Sequence, residues 1–281
     1  MDQCSEIEDS LNRIAKKAEK LARSARTEIL KMTFRAKAPH VGSALSVVDI
    51  LAVLYSGSAS ILPATTYSPD RDVVVLSKGH AASALYSILA LSGFFDQNLL
   101  ESYCMDGALL GGHVTSHGVN GVEFSTGSLG HGLPYAVGIA LGKKLDRIPG
   151  KVFVVMSDGE CDEGTTWESA LLANHHKLHN LVVIVDRNRI QSLKDTEQTL
   201  QLEPFAEKWS SFGWQVEVVS GHSYFELASS MATENLSPKV IIANTTKGRG
   251  IEFMENSVLW HYKSPNQAEL EDALAEVNKL K

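Results

Sequence analysis

"KVFVVMSDGECDEGTTWESALLANHHKLHNLVVIVDRN", residues 151–188, holds two runs of valine and isoleucine separated by a stretch with helical spacing. The runs at 151–157 and 180–186 are short and almost continuously apolar, the pattern of strands buried on both faces of a parallel sheet. Residues 165–178 predict the helix between them. Upstream, "RDVVVLS" (71–77) predicts another strand and "AASALYSILALSG" (81–93) an apolar helix closed by Gly93. "YAVGIALGKKL" (135–145) predicts a helix whose glycines allow close packing. Downstream, "WQVEVVS" and "KVIIANT" are strands flanking a helix near 223–236. Strands alternating with helices predict an α/β fold: a doubly wound, mostly parallel sheet with helices on both faces.

The amino-terminal part predicts one long amphipathic helix over about 5–37. Leu11, Ile14, Ala18, Leu21, Ala25 and Ile29 recur at three- and four-residue steps, and Pro39 ends it. A second helix is expected over 46–55, and a last one over about 266–281. The whole chain, 1–281, reads as a single domain.

With 281 residues, 44% of them hydrophobic, the chain can bury a full core. Its net charge is −7 and no basic block stands out, so a nucleic-acid partner is not expected. Cys4, Cys104 and Cys161 are odd in number and far apart, which points to a reducing cytoplasm rather than a disulfide framework. The amino-terminal stretch is charged throughout, unlike a signal peptide, and no uncharged apolar run approaches the roughly 20 residues that span a bilayer. No membrane association is expected.

Ligands of doubly wound folds bind at the carboxyl ends of strands. The first strand of the central unit ends in "SDGECDEG", which crowds Asp158, Glu160, Asp162 and Glu163 into six positions. Such crowding asks for a cation or for solvent screening. The second strand ends in "DRNRI", so neighbouring strands would bring Asp158 and Asn188 to one rim. Their hard oxygens suit Mg²⁺ or Ca²⁺, and Gly159 lets a phosphate approach the backbone near a helix starting about Thr165. On spacing alone, the same two residues serve equally well as caps of a helix and a turn.

Four further segments carry histidine: "PHVGSALS" (39–46), "SKGHAASALY" (77–86), "GGHVTSHGVNGVEFSTGSLGHGL" (111–133) and "TTKGRGIEFMENSVLWHYKSP" (245–265). Together with "SDG" and the asparagine thirty residues after its aspartate, they resemble the amino-terminal, diphosphate-binding part of the transketolase family, in the family's order and over nearly the whole chain. The resemblance implies the thiamine-diphosphate-binding fold and that cofactor. It implies a metal, Mg²⁺ or Ca²⁺, held by Asp158, Asn188 and the main-chain carbonyl of Ile190. It places His40, His80, His113 and His261 along a catalytic channel, with His80, His261 and Gly159 also at the diphosphate. Gly127 and Leu129 would meet the aminopyrimidine. Glu163 and Glu168 match acidic residues at the family's subunit interface. Glu160 joins the cofactor-binding set as a candidate, although for Glu160 and Asp162 the default is a solvated loop charge. His131 lies in the cofactor loop; it, His117, His175, His176, His179 and His222 are otherwise expected to be structural.

Three departures from the family pattern stand out: Ser157 for glycine before the aspartate, Pro39 for glycine before the first histidine, and Tyr262 where a small residue is common. The chain is also far shorter than a whole transketolase and lacks the pyrimidine-binding domain with its activating glutamate. The resemblance therefore implies a transferase of carbohydrate metabolism in two kinds of subunit: a thiamine-diphosphate-dependent transketolase whose partner carries the pyrimidine domain, in a two-plus-two heterotetramer, moving a ketol unit between a ketose and an aldose. The helices at 81–93 and 135–145 are candidates for the partner interface. Alternatives are an α-type subunit of a 2-oxoacid dehydrogenase, a part of a deoxyxylulose-phosphate synthase, a non-catalytic regulatory subunit, or a Mg²⁺-dependent phosphohydrolase. The histidine set argues against the dehydrogenase, the site's integrity against the regulatory subunit, and "FSTGSLGHGL" against the phosphohydrolase.

Overall fold

The computed structural model describes residues 3–280. In chain order the elements are α1 (Gln3–Ala36), α2 (Val41–Val53), β1 (Val73–Leu76), α3 (Ala82–Leu91), α4 (Gly132–Asp146), β2 (Val152–Ser157), α5 (Gly164–His175), β3 (Leu181–Arg187), α6 (Thr196–Thr199), α7 (Phe205–Ser211), β4 (Gln215–Ser220), α8 (Tyr224–Ala232), β5 (Lys239–Asn244) and α9 (Gln267–Lys279). The five strands pair in the order β1-β2-β3-β5-β4, every pair parallel. All five expected strands are present, within a residue or two of their expected bounds, and Lys281 of the expected last helix lies outside the described residues.

The period-two alternation of the strands sends their side chains to two cores. Val74, Leu76, Phe153, Val155, Val182 and Ile184 pack with α1, α2, α3, α8 and α9 on one face. Val73, Val75, Val152, Val154, Met156 and Val183 pack with α4, α5 and α7 on the other. Both faces of β2 and β3 are therefore dry, which is why those strands read as unbroken apolar runs. The chain leaves β1 toward α3 on the first face and leaves β2 toward α5 on the second. Adjacent strands whose continuations part in this way open a crevice above their carboxyl ends.

The long first helix behaves as its spacing predicts: Ala18, Ala25 and Ile29 are fully buried, while Ile14 and Leu21 pack at the edge of the core. Three expectations need amendment. The second helix starts at Val41 rather than 46, directly after His40, and runs into a wider π-type turn at Leu54–Ser58. This 41–58 segment is long and apolar enough to pass for a membrane span, but 78% of it is buried in the protein's own core. Helix α7 was not anticipated, although Phe205 and Trp209 fall four residues apart and are both fully buried. Helix α3 is not a partner surface, because Ala82 through Ala90 are all buried. Helix α4 does present an outer face, with Tyr135 and Leu145 exposed and open space beside Gly138 and Gly142.

Candidate active site

The parallel register of β2 and β3 sets Ser157 opposite Asp186, so Asp158 and Asn188 emerge at the same rim. The Asp158 side chain is only 2% exposed. Its carboxylate accepts from the backbone N–H of Gly159 at 2.8 Å and of Arg189 at 2.6 Å, the latter turned inward by a left-handed backbone at Arg189 (φ 62°). The Asn188 Oδ1 accepts from the Ile190 N–H at 3.1 Å, while its amide nitrogen donates to the Ser46 hydroxyl at 3.3 Å. Burial pushes the Asp158 carboxyl above the usual carboxylate range, the Arg189 N–H opposes that, and the Asp186 charge adds to it. Among the described residues no lysine, arginine or histidine forms an ion pair with Asp158. A buried carboxylate without an ion pair, an amide oxygen and the Ile190 carbonyl form a hard-oxygen set of the kind a small divalent cation takes.

Asp158, Gly159, Asn188 and Ile190 line one wall of a cavity of about 230 Å³, and Gly127 and Leu129 of the long glycine-rich loop line another. The four segments carrying His40, His80, His113 and His261 converge on the same space. The His40 ring lies 5.3 Å from His80, 5.6 Å from His113 and 5.1 Å from His261, centroid to centroid. His40 holds a left-handed backbone (φ 74°) and donates its N–H to the His261 carbonyl at 2.8 Å, which ties the first and last segments together. Tyr86 fixes the middle one, its hydroxyl donating to the His113 carbonyl at 3.1 Å and accepting the Thr115 N–H at 3.0 Å. Burial, with help from His113 and Lys247, lowers the His40 pKa to about 4; burial and Lys247 lower that of His261 to about 3. Burial and Lys78 hold His80 well below the ordinary range as well. These three imidazoles are neutral near pH 7, able to donate at one nitrogen and accept at the other.

Two lysines supply the positive charge, and sequence reasoning missed both. Lys247 is 1% exposed and donates to the Ile190 carbonyl at 3.0 Å and to His261 Nδ1 at 2.9 Å; burial and Lys78 lower its pKa to about 8. Lys78, fully buried, pairs with Asp186 at 2.5 Å. Each stood beside a quoted histidine motif, in "SKGHA" and "TTKGRG". A lysine inside a glycine- and alanine-rich run is the signal that could have marked them, because unpaired burial of lysine is rare.

Glu160 corrects the expectation of a solvated charge. It is fully buried, accepts from the Ser77 hydroxyl, from the Gly130 N–H at 2.9 Å and from the Ser157 N–H at 3.3 Å, and does not line the cavity. It fastens the ends of β1 and β2 to the glycine-rich loop. The serine in place of glycine is accommodated there too, since the Ser157 hydroxyl accepts the Glu160 N–H at 3.3 Å. Asp162 is partly exposed and accepts from the Gln191 amide at 2.7 Å. Gln191 itself lies over Gly159, where an added Cβ would come within 2.8 Å of its Cγ. The start of α5, expected to face a phosphate, does not line the cavity; a short 3₁₀ turn at Gly159–Asp162 intervenes. Glu163 and Glu168 are exposed beside it. His131 is exposed, with Nδ1 on the carbonyl of its own loop residue Leu129, and stays outside the cavity. Tyr262 is 60% exposed, with its ring 4.7 Å from His261.

A larger cavity, about 700 Å³, opens at the opposite end of the strands beside Asp72, Lys143 and Asn180. Size does not make it the site. Lys143 donates to the carbonyls of Pro69, Arg71 and Pro149, which uses all three of its protons in holding loops together.

The family described as "Transketolase, thiamine diphosphate binding domain" matches residues 17–274. An apulose-4-phosphate transketolase subunit from Actinobacillus succinogenes is 39% identical over 92% of this chain and 95% of its own length. The 6-deoxy-6-sulfo-D-fructose transketolase subunit of a Clostridium species is 37% identical over 85% of this chain and 88% of its own. Among solved structures, transketolase from Leishmania mexicana superposes with a TM-score of 0.86 at 25% identity, and that from Campylobacter jejuni with 0.85 at 28%. The chain covers 93% and 94% of itself in these two superpositions but only 41% and 43% of the solved chains, so it spans about two fifths of a whole transketolase. The converging histidines and the strand-end oxygens thus sit in a domain that sequence and fold both assign alike: the chain belongs to the transketolase family, as its thiamine-diphosphate-binding domain.

Proposed function

We propose that this chain is the diphosphate-binding subunit of a two-subunit transketolase, transferring a two-carbon ketol unit from a ketose to an aldose. The observation that carries the reading is the convergence in one cavity of Asp158, Asn188 and Ile190 with four histidines from four separate segments. Two relatives named as transketolase subunits, matching over nearly their whole lengths, support a divided enzyme. Asp158, Asn188 and the Ile190 carbonyl would hold Mg²⁺, three protein oxygens leaving places for phosphate and water. The Gly159 backbone, His80 and His261 would receive the diphosphate, with the positive charge of Lys247 close by. The cofactor, when bound, supplies the carbon nucleophile and the electron sink that the protein lacks.

The chain's own residues would manage the protons. Neutral His40 can exchange a proton with a sugar hydroxyl near pH 7, while His261 offers a hydrogen-bond donor to the same substrate. The Lys247 ammonium can only donate, so His261 Nδ1 accepts and its proton sits on Nε2. The partner would supply the glutamate that activates the pyrimidine, with Glu163 and Glu168 beside it, in a two-plus-two assembly. Free thiols at Cys104 and Cys161 suit a reducing cytoplasm.

The test is calorimetric titration of the chain with thiamine diphosphate, with and without Mg²⁺, followed by a ketol-transfer assay in the presence of a pyrimidine-domain partner. Metal-dependent binding and partner-dependent turnover are the expected results. Turnover by the single chain would sink the divided-enzyme reading, and no binding in the presence of Mg²⁺ would sink the cofactor reading.

A further inference from the structure

Helix α2 is buried along its whole length, yet it carries a carboxylate, Asp49, that is 2% exposed. A charge so placed must be met on every lone pair. Arg26 of α1 meets it with two nitrogens at 2.8 and 2.7 Å, the Tyr224 hydroxyl donates at 2.9 Å, and His222 Nδ1 lies 2.7 Å away. Arg26 and Tyr224 would suffice to weld α1 and α8 to α2. What His222 adds is directed elsewhere.

The other ring nitrogen of His222, Nε2, accepts the backbone N–H of Thr246 at 2.8 Å. An imidazolium has no acceptor, so His222 is neutral with its proton on Nδ1, given to Asp49. Arg26 Nε donates to the Arg249 carbonyl at 3.2 Å. The Asp49 cluster therefore grips the turn after β5 at two points, Thr246 and Arg249. Between them stands Lys247, which hands its protons to the Ile190 and Gln191 carbonyls and to His261 Nδ1. Hydrogen bonds run from α1 through Arg26, Asp49 and His222 to the Thr246 N–H; the peptide bond carries the path on to Lys247, whose ammonium reaches His261 in the cavity.

We propose that Asp49 and His222 are positioning residues of the cofactor site, which hold the Thr246–Lys247 segment so that Lys247 fixes His261 with its proton on Nε2, facing ligand. Nothing in the sequence marked His222, which read as a structural histidine. The proposal rests on the reading that the cavity takes thiamine diphosphate, and it reaches further, because it makes a histidine outside the cavity govern the state of one inside it.

The first readout needs no cofactor. In ¹⁵N NMR spectra of the chain labelled at histidine, His261 is expected as the Nε2–H tautomer, and Lys247→Met is expected to release it to a mixture. Retention of a pure Nε2–H form in Lys247→Met overturns the proposal, whether or not any His222 variant folds. The second readout is a double-mutant cycle on the dissociation constant of thiamine diphosphate at saturating Mg²⁺. Removing a supporting partner of this kind costs about 10-fold, the lower end of the range known for residues that orient ligands of a site, and that is the effect expected of His222→Leu. His222→Gln, whose amide can both donate and accept, is expected to recover most of it. In a Lys247→Met background, His222→Leu should change affinity less than about 2-fold, because contacting residues on one path are not additive. Full additivity of the two changes, or a lower melting temperature with unchanged affinity, overturns the proposal and leaves the cofactor reading standing. Failure of the wild-type chain to bind the cofactor at all takes down both.

Discussion

The two walls of the cavity are encoded in opposite ways. The oxygen wall comes from one strand–helix–strand unit: Asp158 and Asn188 are thirty residues apart and meet because β2 and β3 pair side by side. The histidine wall comes from segments at 40, 80, 113 and 261, which no local unit brings together. The first sits on the ends of buried strands, where the backbone is fixed by the sheet. The second sits on loops and needs a set of buried ties: His40 N–H to the His261 carbonyl, Tyr86 to the His113 loop, Lys247 to His261, Lys78 to Asp186. Such a site gains precision from the groups that hold it rather than from the elements that carry it.

The hardest blow to this contrast is aimed at the oxygen wall. Asp158→Asn removes the only charged oxygen of the proposed metal set while leaving a side chain of the same shape. Thiamine diphosphate affinity in Mg²⁺ is expected to fall at least about 100-fold, above the 10–100-fold typical of groups one step removed from a metal. Titration calorimetry would show it. A loss as small as for a channel histidine would mean that the oxygen wall is not the anchor.

Glu160 joins the two walls, and its loss should be felt in folding rather than in binding alone. Glu160→Ala leaves the Ser77 hydroxyl proton without its acceptor, although that oxygen still accepts from the Gly132 N–H, and leaves the Gly130 and Ser157 N–H groups unpaired in a dry place. At about 1–3 kcal/mol for each orphaned group, a destabilisation of roughly 3 kcal/mol or more is expected in urea denaturation. Hydrogen exchange should also quicken around the glycine-rich loop. An unchanged midpoint would return Glu160 to the role of a surface charge.

Acid should strike the histidine wall first. The folded pKa values of His40 and His261 are lowered to about 4 and about 3, so between those values and their unfolded value near 6.5 the unfolded chain binds more protons. Stability from these groups is complete above about pH 6.5 and drains as pH falls through that window. Melting temperature against pH should therefore drop more steeply for the wild-type chain than for His40→Asn/His261→Asn, with the two curves parallel above pH 7. Parallel curves throughout would show that the rings are free to charge where they stand.

The same contrast explains what could be read in advance. β2 and β3 announce themselves by composition, and with them the rim that carries Asp158 and Asn188; burial on two faces leaves few other residues that fit. The histidines could be collected only through resemblance, since spacing says nothing about meetings across some two hundred residues. Lys78 and Lys247 escaped both routes, and Glu160 was named as a cofactor-binding candidate or a solvated charge but not as the buried fastener that it is. A charged residue in a short loop looks solvated until the structure shows which buried donor or acceptor it answers, and Glu160 answers three at once. His222 escaped for a related reason: its partners, Asp49 and Thr246, lie on elements far from it in the chain.

A gentler change separates the walls without damaging either. Gly127 lines the cavity, and a Cβ built there would stand 3.2 Å from Cδ2 of His113, closer than ordinary contact but against a ring that can yield. Because the obstruction is a side chain and not backbone, Gly127→Ala should cost the fold about 1 kcal/mol or less. The ring must nevertheless shift by a few tenths of an ångström, and with it the face that the channel offers a sugar. In the reconstituted enzyme the expected result is a few-fold rise in the donor KM, with the Mg²⁺ dependence of cofactor binding unchanged. The oxygen wall stands on strand ends, whereas the three atoms nearest the new methyl all belong to His113. If the metal dependence moved with the donor KM, the walls would be mechanically coupled through the glycine-rich loop, and Glu160, which fastens that loop to β2, would be the place to look for the connection.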